Sequence, residues 1–177
     1  RSKFFAGHQH ADQNGFAINA YGDKLVTDGG YYDWYGSEHF TKYAIQTQAH
    51  NTVLVDGEGQ AVHTFGADGA SSGYFDSPGF GFIRGDAAKP LIYGGKLKKF
   101  DRELLFLKPD FVAVFDRLES DQPRAFSNLI HAQSAEPIQV DGDRFAIRRP
   151  RARLDGAVLT PAALRVAKSY DIKPNDQ

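Results

Sequence analysis

Cysteine is absent from the 177 residues of this chain, which excludes disulfides and thiolate metal sites. Methionine is absent too, and the chain opens on Arg1-Ser2-Lys3. Residue 1 therefore reads as an internal position of a longer polypeptide, with any targeting signal upstream of it. No excess of charge exists: 21 Lys+Arg against 22 Asp+Glu leave a formal net charge of −1. Such a balance gives no broad basic field for nucleic acid or an anionic membrane, so an acidic ligand would have to be held by local groups. Long apolar runs are missing, and stretches such as residues 111–115 are far too short to span a bilayer. Capped helical periods are missing as well, leaving a single candidate helical turn at residues 161–167.

What is present is alternation. With 18 Gly, 8 Tyr and 14 Phe, the composition favours sheet with many turns. Residues 16–21 and 24–27 flank Gly22-Asp23 as a hairpin. Residues 52–55 end at Asp56-Gly57, a second hairpin signal. Short strands are expected at 81–84, 89–93, 127–131, 138–140, 144–147, 157–159 and 164–167. Residues 102–107 and 111–116 flank the turn Lys108-Pro109-Asp110, and Asp141-Gly142-Asp143 makes another. Strand signals this frequent indicate an all-β, antiparallel β-sandwich filling residues 1–177 as one domain, with 168–177 as a frayed or truncated tail. Two aromatic, glycine-rich regions, 29–40 and 65–82, lack alternation and read as long loops, where function tends to sit.

Three features carry chemistry. In Gly7-His8-Gln9-His10-Ala11-Asp12, an extended backbone would set His8 and His10 on one face. Such a pair suits half a metal site or a hydrogen-bonded pair equally. Asp28, in Val26-Thr27-Asp28-Gly29-Gly30, ends a strand, and a turn aspartate fits there as well as a ligand does. His50, in Ala49-His50-Asn51-Thr52, opens an apolar strand, where a lone histidine is commonly structural. Taken together, two histidines and a carboxylate on strand ends provide a His2Asp set that suits zinc with a fourth position open to water.

The block at residues 7–12, Phe-Ala-Ile-Asn-Ala-Tyr-Gly at 16–22, Leu-Val-Thr-Asp-Gly-Gly at 25–30 and Ala-His-Asn-Thr-Val-Leu-Val-Asp-Gly-Glu-Gly-Gln at 49–60 resemble, in order and spacing, the signature of heparinase II/III-like polysaccharide lyases. Residues 102–116 resemble the strand pair that follows in that family. The resemblance implies an upstream α/α toroid in the same parent chain, packed on the β-sandwich that this chain supplies. It implies zinc held by His10, Asp28 and His50, with His8 facing the cleft. It also implies an acidic, uronate-containing polysaccharide such as alginate or heparin as substrate, and a periplasmic or secreted bacterial setting. The acid and base would come from the toroid, and a homodimer is left open. β-Elimination removes the proton at C5 of a uronate, which is weakly acidic until the neighbouring carboxylate is neutralised. His8 and Asn51 are the candidate donors to that carboxylate, making them the candidate catalytic pair of this domain.

Other residues have simpler readings. Tyr31, Tyr32, Trp34 and Tyr35 make a candidate sugar-stacking platform, or pack their own loop. His39 and His63 read as surface histidines, His131 as a satisfied core histidine, and Arg148, Arg149, Arg151 and Arg153 as a solvated strand edge. A metal-dependent cupin would need a Glu three or four residues after the His-x-His pair. Here Asp12 follows His10 by two, and the next acidic candidate of that type is Glu38. A non-catalytic carbohydrate-binding sandwich remains the other alternative.

Overall fold

The computed structural model describes residues 9–29, 34–133, 138–161 and 163–168. Among them the regular structure is mostly antiparallel sheet, built largely from hairpins. Strands β1 (Ile18–Ala20) and β2 (Asp23–Val26) pair across Tyr21 and Gly22, both at positive φ (52° and 80°). That two-residue left-handed turn matches the twist of its strands, and it lies one residue earlier than Gly22-Asp23 suggests. Asp23 is thereby a strand residue, and its carboxylate accepts the Arg151 backbone N–H at 2.6 Å.

Strand β3 (Val53–Val55) meets the expected turn at Asp56 and Gly57, but the returning chain makes a single bridge, Val55 to Glu58. Its real partner is distant: β8 (Phe126–Asn128). The largest sheet is a meander of β4 (Ala70–Asp76), β5 (Phe80–Asp86), β6 (Leu97–Leu107) and β7 (Phe111–Ser120). The long loop expected over residues 65–82 therefore contains β4. Its Ser71-Ser72-Gly73 hides the strand signal, because an edge strand with little burial needs no apolar alternation. Residues 89–93, expected as a strand, form turns around Pro90 instead, with Ile92 N–H on the Lys89 carbonyl at 2.9 Å and Gly95 N–H on that of Pro90 at 2.7 Å. A fourth sheet holds β9 (Gln139–Asp141), β10 (Arg144–Arg148) and β11 (Arg153–Ala157) in the order β11-β10-β9. Strand β11 ends at Ala157, ahead of the expected 157–159, and the described part of 161–168 has neither strand nor helical turn. The helical turns are elsewhere: a π-helical turn at Phe40–Ala44 and a 3-10 turn at Thr47–Ala49. Among the described residues no helix is long and apolar enough to cross a membrane.

Two apolar clusters result. One gathers Val53, Val55, Ile92, Tyr93, Leu97 and Phe100 beneath the large sheet. The other gathers Leu25, Val26, Ile147 and Ala152 between β1–β2 and β9–β11. A buried polar seam joins them. Its centre is Arg102, 1% exposed on β6. Nε and Nη2 grip both oxygens of Asp116 at 2.7 Å, while Nη1 donates to the carbonyls of Asn14 (2.8 Å) and Asn51 (2.7 Å). The guanidinium also lies 5.2 Å from the Phe16 ring and 5.6 Å from that of Phe100, one from each side of the seam.

Arg102→Leu would leave Asp116 nearly buried without its partner and orphan two carbonyls. We expect a loss of about 3–5 kcal/mol in equilibrium denaturation. A loss below about 1 kcal/mol, the size of an exposed pair, would contradict this account of the seam.

Candidate metal centre

Three backbone segments bring the site together, and each is tied down by buried hydrogen bonds. In the segment carrying His10, Ala11 N–H donates to the Ile45 carbonyl and its carbonyl accepts Thr47 Oγ1, both at 2.8 Å. Two residues on, the Gln13 N–H donates to Gln60 Oε1 at 2.8 Å, and the Gln13 carbonyl accepts Gln60 Nε2 (2.9 Å) and Thr52 Oγ1 (2.8 Å). Asp28 leaves the end of β2, with Gly29 N–H on the Ala49 carbonyl at 2.7 Å. A side chain at Gly29 would overlap the Tyr43 hydroxyl, so glycine is what lets that ring lie against the backbone next to Asp28 in sequence. His50 follows the 3-10 turn and is 2% exposed.

The His50 ring is oriented by the π-helical turn. A helix leaves its last carbonyls without intrahelical partners, and that of Ala44 lies 3.1 Å from His50 Nε2. A carbonyl only accepts, so Nε2 carries the proton, and in the singly protonated ring that leaves a lone pair at Nδ1. Nδ1 is buried without a hydrogen-bond partner among the described residues, yet it lies 3.2 Å from Asp28 Oδ1. The spacing suits a hydrogen bond and the direction does not. Two acceptors pointed at one space repel unless a cation lies between them. Ligands held about 2.0–2.2 Å from zinc at a tetrahedral angle would be roughly 3.3–3.6 Å apart, close to the observed separation. A histidine ligand whose other ring N–H is held by a backbone carbonyl is also the usual outer-shell arrangement. The donor set therefore fits a divalent metal. His10 faces the pair, its ring centroid 5.1 Å from that of His50 at a 45° tilt. Among the described residues, however, no three such donors meet at one point.

Charges nearby agree with this picture. Burial raises the Asp28 carboxyl, but contact with His50 and the charges of His131 and His10 outweigh it and hold the pKa below the usual carboxylate value. Tyr43 is pushed up to about 12 by burial and by the Asp28 charge, so its phenol stays protonated at neutral pH.

The other sequence-derived candidates separate. His8, Tyr31 and Tyr32 lie outside the described residues. Trp34 is 62% exposed, and Tyr35 is also exposed. The Tyr35 ring packs 4.6 Å from Phe40, which meets His10 edge-on at 6.4 Å. An aromatic path thus leads from the surface to the metal-ligating candidates.

Asn51 changes role. It is fully buried, and its amide is consumed: Nδ2 donates to the Phe16 (2.9 Å) and Thr27 (3.0 Å) carbonyls, and Oδ1 accepts the His131 N–H at 2.6 Å. As placed, it braces three backbone segments beside the strands and has no donor left for a substrate carboxylate. His131 is a satisfied histidine, its Nε2 2.9 Å from the Gln48 carbonyl, but it also lies within charge range of His50 and Asp28. Nothing in its local sequence signals that proximity. Tyr43 and the Ala44 carbonyl were equally hidden, since neither residue type marks a metal site.

Burial holds the His131 pKa below the ordinary histidine value, against the opposing pull of the Gln48 carbonyl. The unfolded chain therefore takes up a proton below about pH 6.5 that the folded chain resists. Stability from this group is present above that pH and is lost as pH falls. Denaturation between about pH 7.5 and 5.5 should show a steeper loss for the native sequence than for His131→Asn; equal slopes would contradict the assignment.

The sequence matches the family described as Heparinase II/III-like, C-terminal, over residues 1–170. No curated protein matches it. Among solved structures, the fold is similar to a heparan sulfate lyase HepC mutant from Pedobacter heparinus, with a TM-score of 0.62 and 16% identity. That alignment covers 81% of this chain and 22% of the other, so this chain spans about a fifth of its structural relative.

Proposed function

We propose, for a chain that belongs to the heparinase II/III-like family through its C-terminal domain, that the parent protein is a polysaccharide lyase acting on a uronate-containing polymer by β-elimination. The observation that carries this reading is the Asp28–His50 pair: a buried imidazole lone pair and a carboxylate oxygen 3.2 Å apart, aimed at one space. That pairing gives this family's His2Asp pattern a physical use here.

Zinc would be held by Asp28, by His50 through Nδ1, and by His10 from the facing segment. When bound it supplies a cross-link among three loops and fixes the backbone that carries His8. The rest is done by the chain itself. His8, two residues before His10 in the sequence, would donate to the uronate carboxylate. Neutralising that charge makes the C5 proton removable. Trp34 and Tyr35 would offer ring faces to the sugar planes. Asn51 keeps the His50 segment in register with β2. The general acid and base would come from the parent's other domain, so this chain alone would have no measurable activity. Such an enzyme would act in the periplasm or outside the cell, where the polymer is met. Alginate and heparin or heparan sulfate are both chemically suited, because each places a uronate carboxylate beside the proton to be removed.

Elimination leaves an unsaturated uronate with strong ultraviolet absorbance, and the parent should generate it. There His8→Ala should lower turnover by about 100- to 1000-fold, the usual effect of losing one preorganised donor, with metal content unchanged. His10→Ala should lose metal and melting temperature together. Cleavage without that absorbance would make the parent a hydrolase and overturn the reading.

Metal content gives an independent check. Protein purified without added metal should carry about one zinc per chain, and His50→Ala should lower both zinc content and melting temperature. If neither changes, His50 is not a ligand.

A further inference from the structure

At the end of the β1–β2 hairpin opposite Asp28, two turns meet. One is Tyr21-Gly22. The other, residues 149–152, joins β10 to β11 and is closed by the Arg149 N–H on the Ala152 carbonyl at 2.8 Å. Arg151 bridges them. Its backbone N–H donates to Asp23 Oδ2 at 2.6 Å and its Nη2 to the Gly22 carbonyl at 2.7 Å, while Nε and Nη2 approach Asp23 Oδ1 at 3.4 and 3.3 Å. A Cβ on Gly22 would lie 2.9 Å from the guanidinium, so glycine is what lets the fork lie against the turn. Nη1 makes no hydrogen bond among the described residues, which leaves its two protons for an external acceptor.

Joining two hairpins accounts for Arg151 and leaves two other features without a structural use. Tyr21 stands in the left-handed region, at φ 52°, where asparagine or glycine is the usual turn residue and a bulky side chain is out of place. Its ring is nevertheless 71% exposed, so the conformation gains no packing in return, and backbone kept in such a state clusters at ligand clamps. The second feature is the pair that closes the other turn. Arg148 stands directly across from Arg153. Their neighbours Ile147 and Leu154 belong to an apolar cluster, so alternation puts both arginines on the outer face. Like charges directly opposite weaken a strand pair. Asp155 is taken by Arg153, whose Nε reaches Oδ1 at 2.9 Å, and Arg149 meets the neutral amide of Gln133 at 3.0 Å. Four guanidinium groups at these turns are thus set against two carboxylates, Asp23 and Asp155.

We infer that the two turns form a second binding site for acidic polysaccharide, with Tyr21 as the platform for a uronate ring and Arg148 and Arg151 as donors to its carboxylates. An exposed aromatic face takes the apolar face of a sugar, and a guanidinium takes a carboxylate through a planar, charge-assisted pair of hydrogen bonds. The polymer's carboxylates supply the negative charge that the turns lack. Asp28 lies six residues beyond Gly22, about 20 Å of extended chain. A polymer can rest on the turns while it occupies the metal-centre side, and a disaccharide cannot. The second contact raises the local concentration of long chains. The ligand class rests on the lyase reading above, but the test needs no turnover.

Equilibrium binding of alginate and of heparin, each as long chains and as disaccharides, is measured on the full-length parent carrying His8→Ala to slow cleavage. Tyr21→Gly should weaken binding of at least one long polymer about two- to tenfold. Its melting temperature should hold or rise, because glycine suits that φ. Arg148→Gln should weaken the same binding and flatten its dependence on salt, and neither change should alter disaccharide binding. Long-chain binding indifferent to both substitutions, or absent for both polymers, would overturn the inference. So would an equal loss for disaccharides, which would place the effect in the cleft, or a Tyr21→Gly parent that loses melting temperature along with affinity. The unsaturated-product assay keeps the two readings apart. Turn-dependent binding without elimination would refute the lyase alone, and elimination with binding indifferent to the turns would refute this site alone.

Discussion

The grip of Arg102 on Asp116 is the contact on which the other parts of the molecule depend. Burying a guanidinium is costly unless each donor finds a partner. Here two donors meet the carboxylate in the bidentate geometry that suits a planar fork, and the remaining bonds reach the Asn14 and Asn51 carbonyls and Asn128 Oδ1. Those partners belong to different parts of the chain. Asp116 is on β7, Asn128 on β8, Asn14 follows the His10 segment and Asn51 follows His50. One side chain thereby ties the large sheet to both segments that carry the histidine candidates, across a gap that neither apolar cluster fills.

From that anchor the placement of His50 and Asp28 follows by short steps. The Asn51 backbone is fixed by Arg102, and its amide spans from the Phe16 carbonyl to that of Thr27, the residue before Asp28. His50 and Asp28 are therefore placed on either side of one buried asparagine, and Ala44 sets the tautomer that turns the Nδ1 lone pair toward the carboxylate. Protein hydrogen bonds already set the distance between two donors. A metal would strengthen a spacing the fold establishes, and the site's specificity would reside in the seam as much as in the ligands.

The fold class, most hairpins and the family, through the blocks that carry His10, Asp28 and His50, were legible in the sequence, because alternation and turn residues are local signals and the motif spacing is close to fixed. Membership of the heparinase II/III-like family makes the cupin alternative unnecessary. What the sequence hid was long-range. Nothing around residues 53–55 names Phe126–Asn128 as their partner, and Ser71-Ser72-Gly73 looks like loop because an edge strand is released from the apolar pattern. Asn51 misled for a different reason: an amide beside a histidine looks like a substrate donor until its three backbone partners, dispersed over 115 residues from Phe16 to His131, are brought together. Arg102 looked like one polar position in a strand, and only burial reveals it as the hub.

The central claim is that this seam delivers an imidazole and a carboxylate as ligands to one metal. Zinc K-edge absorption on the zinc-loaded parent protein measures that directly. The account requires a four-coordinate shell of nitrogen and oxygen alone at about 2.0–2.2 Å, with outer-shell scattering from two imidazole rings. A six-oxygen shell, or one without imidazole scattering, would contradict it.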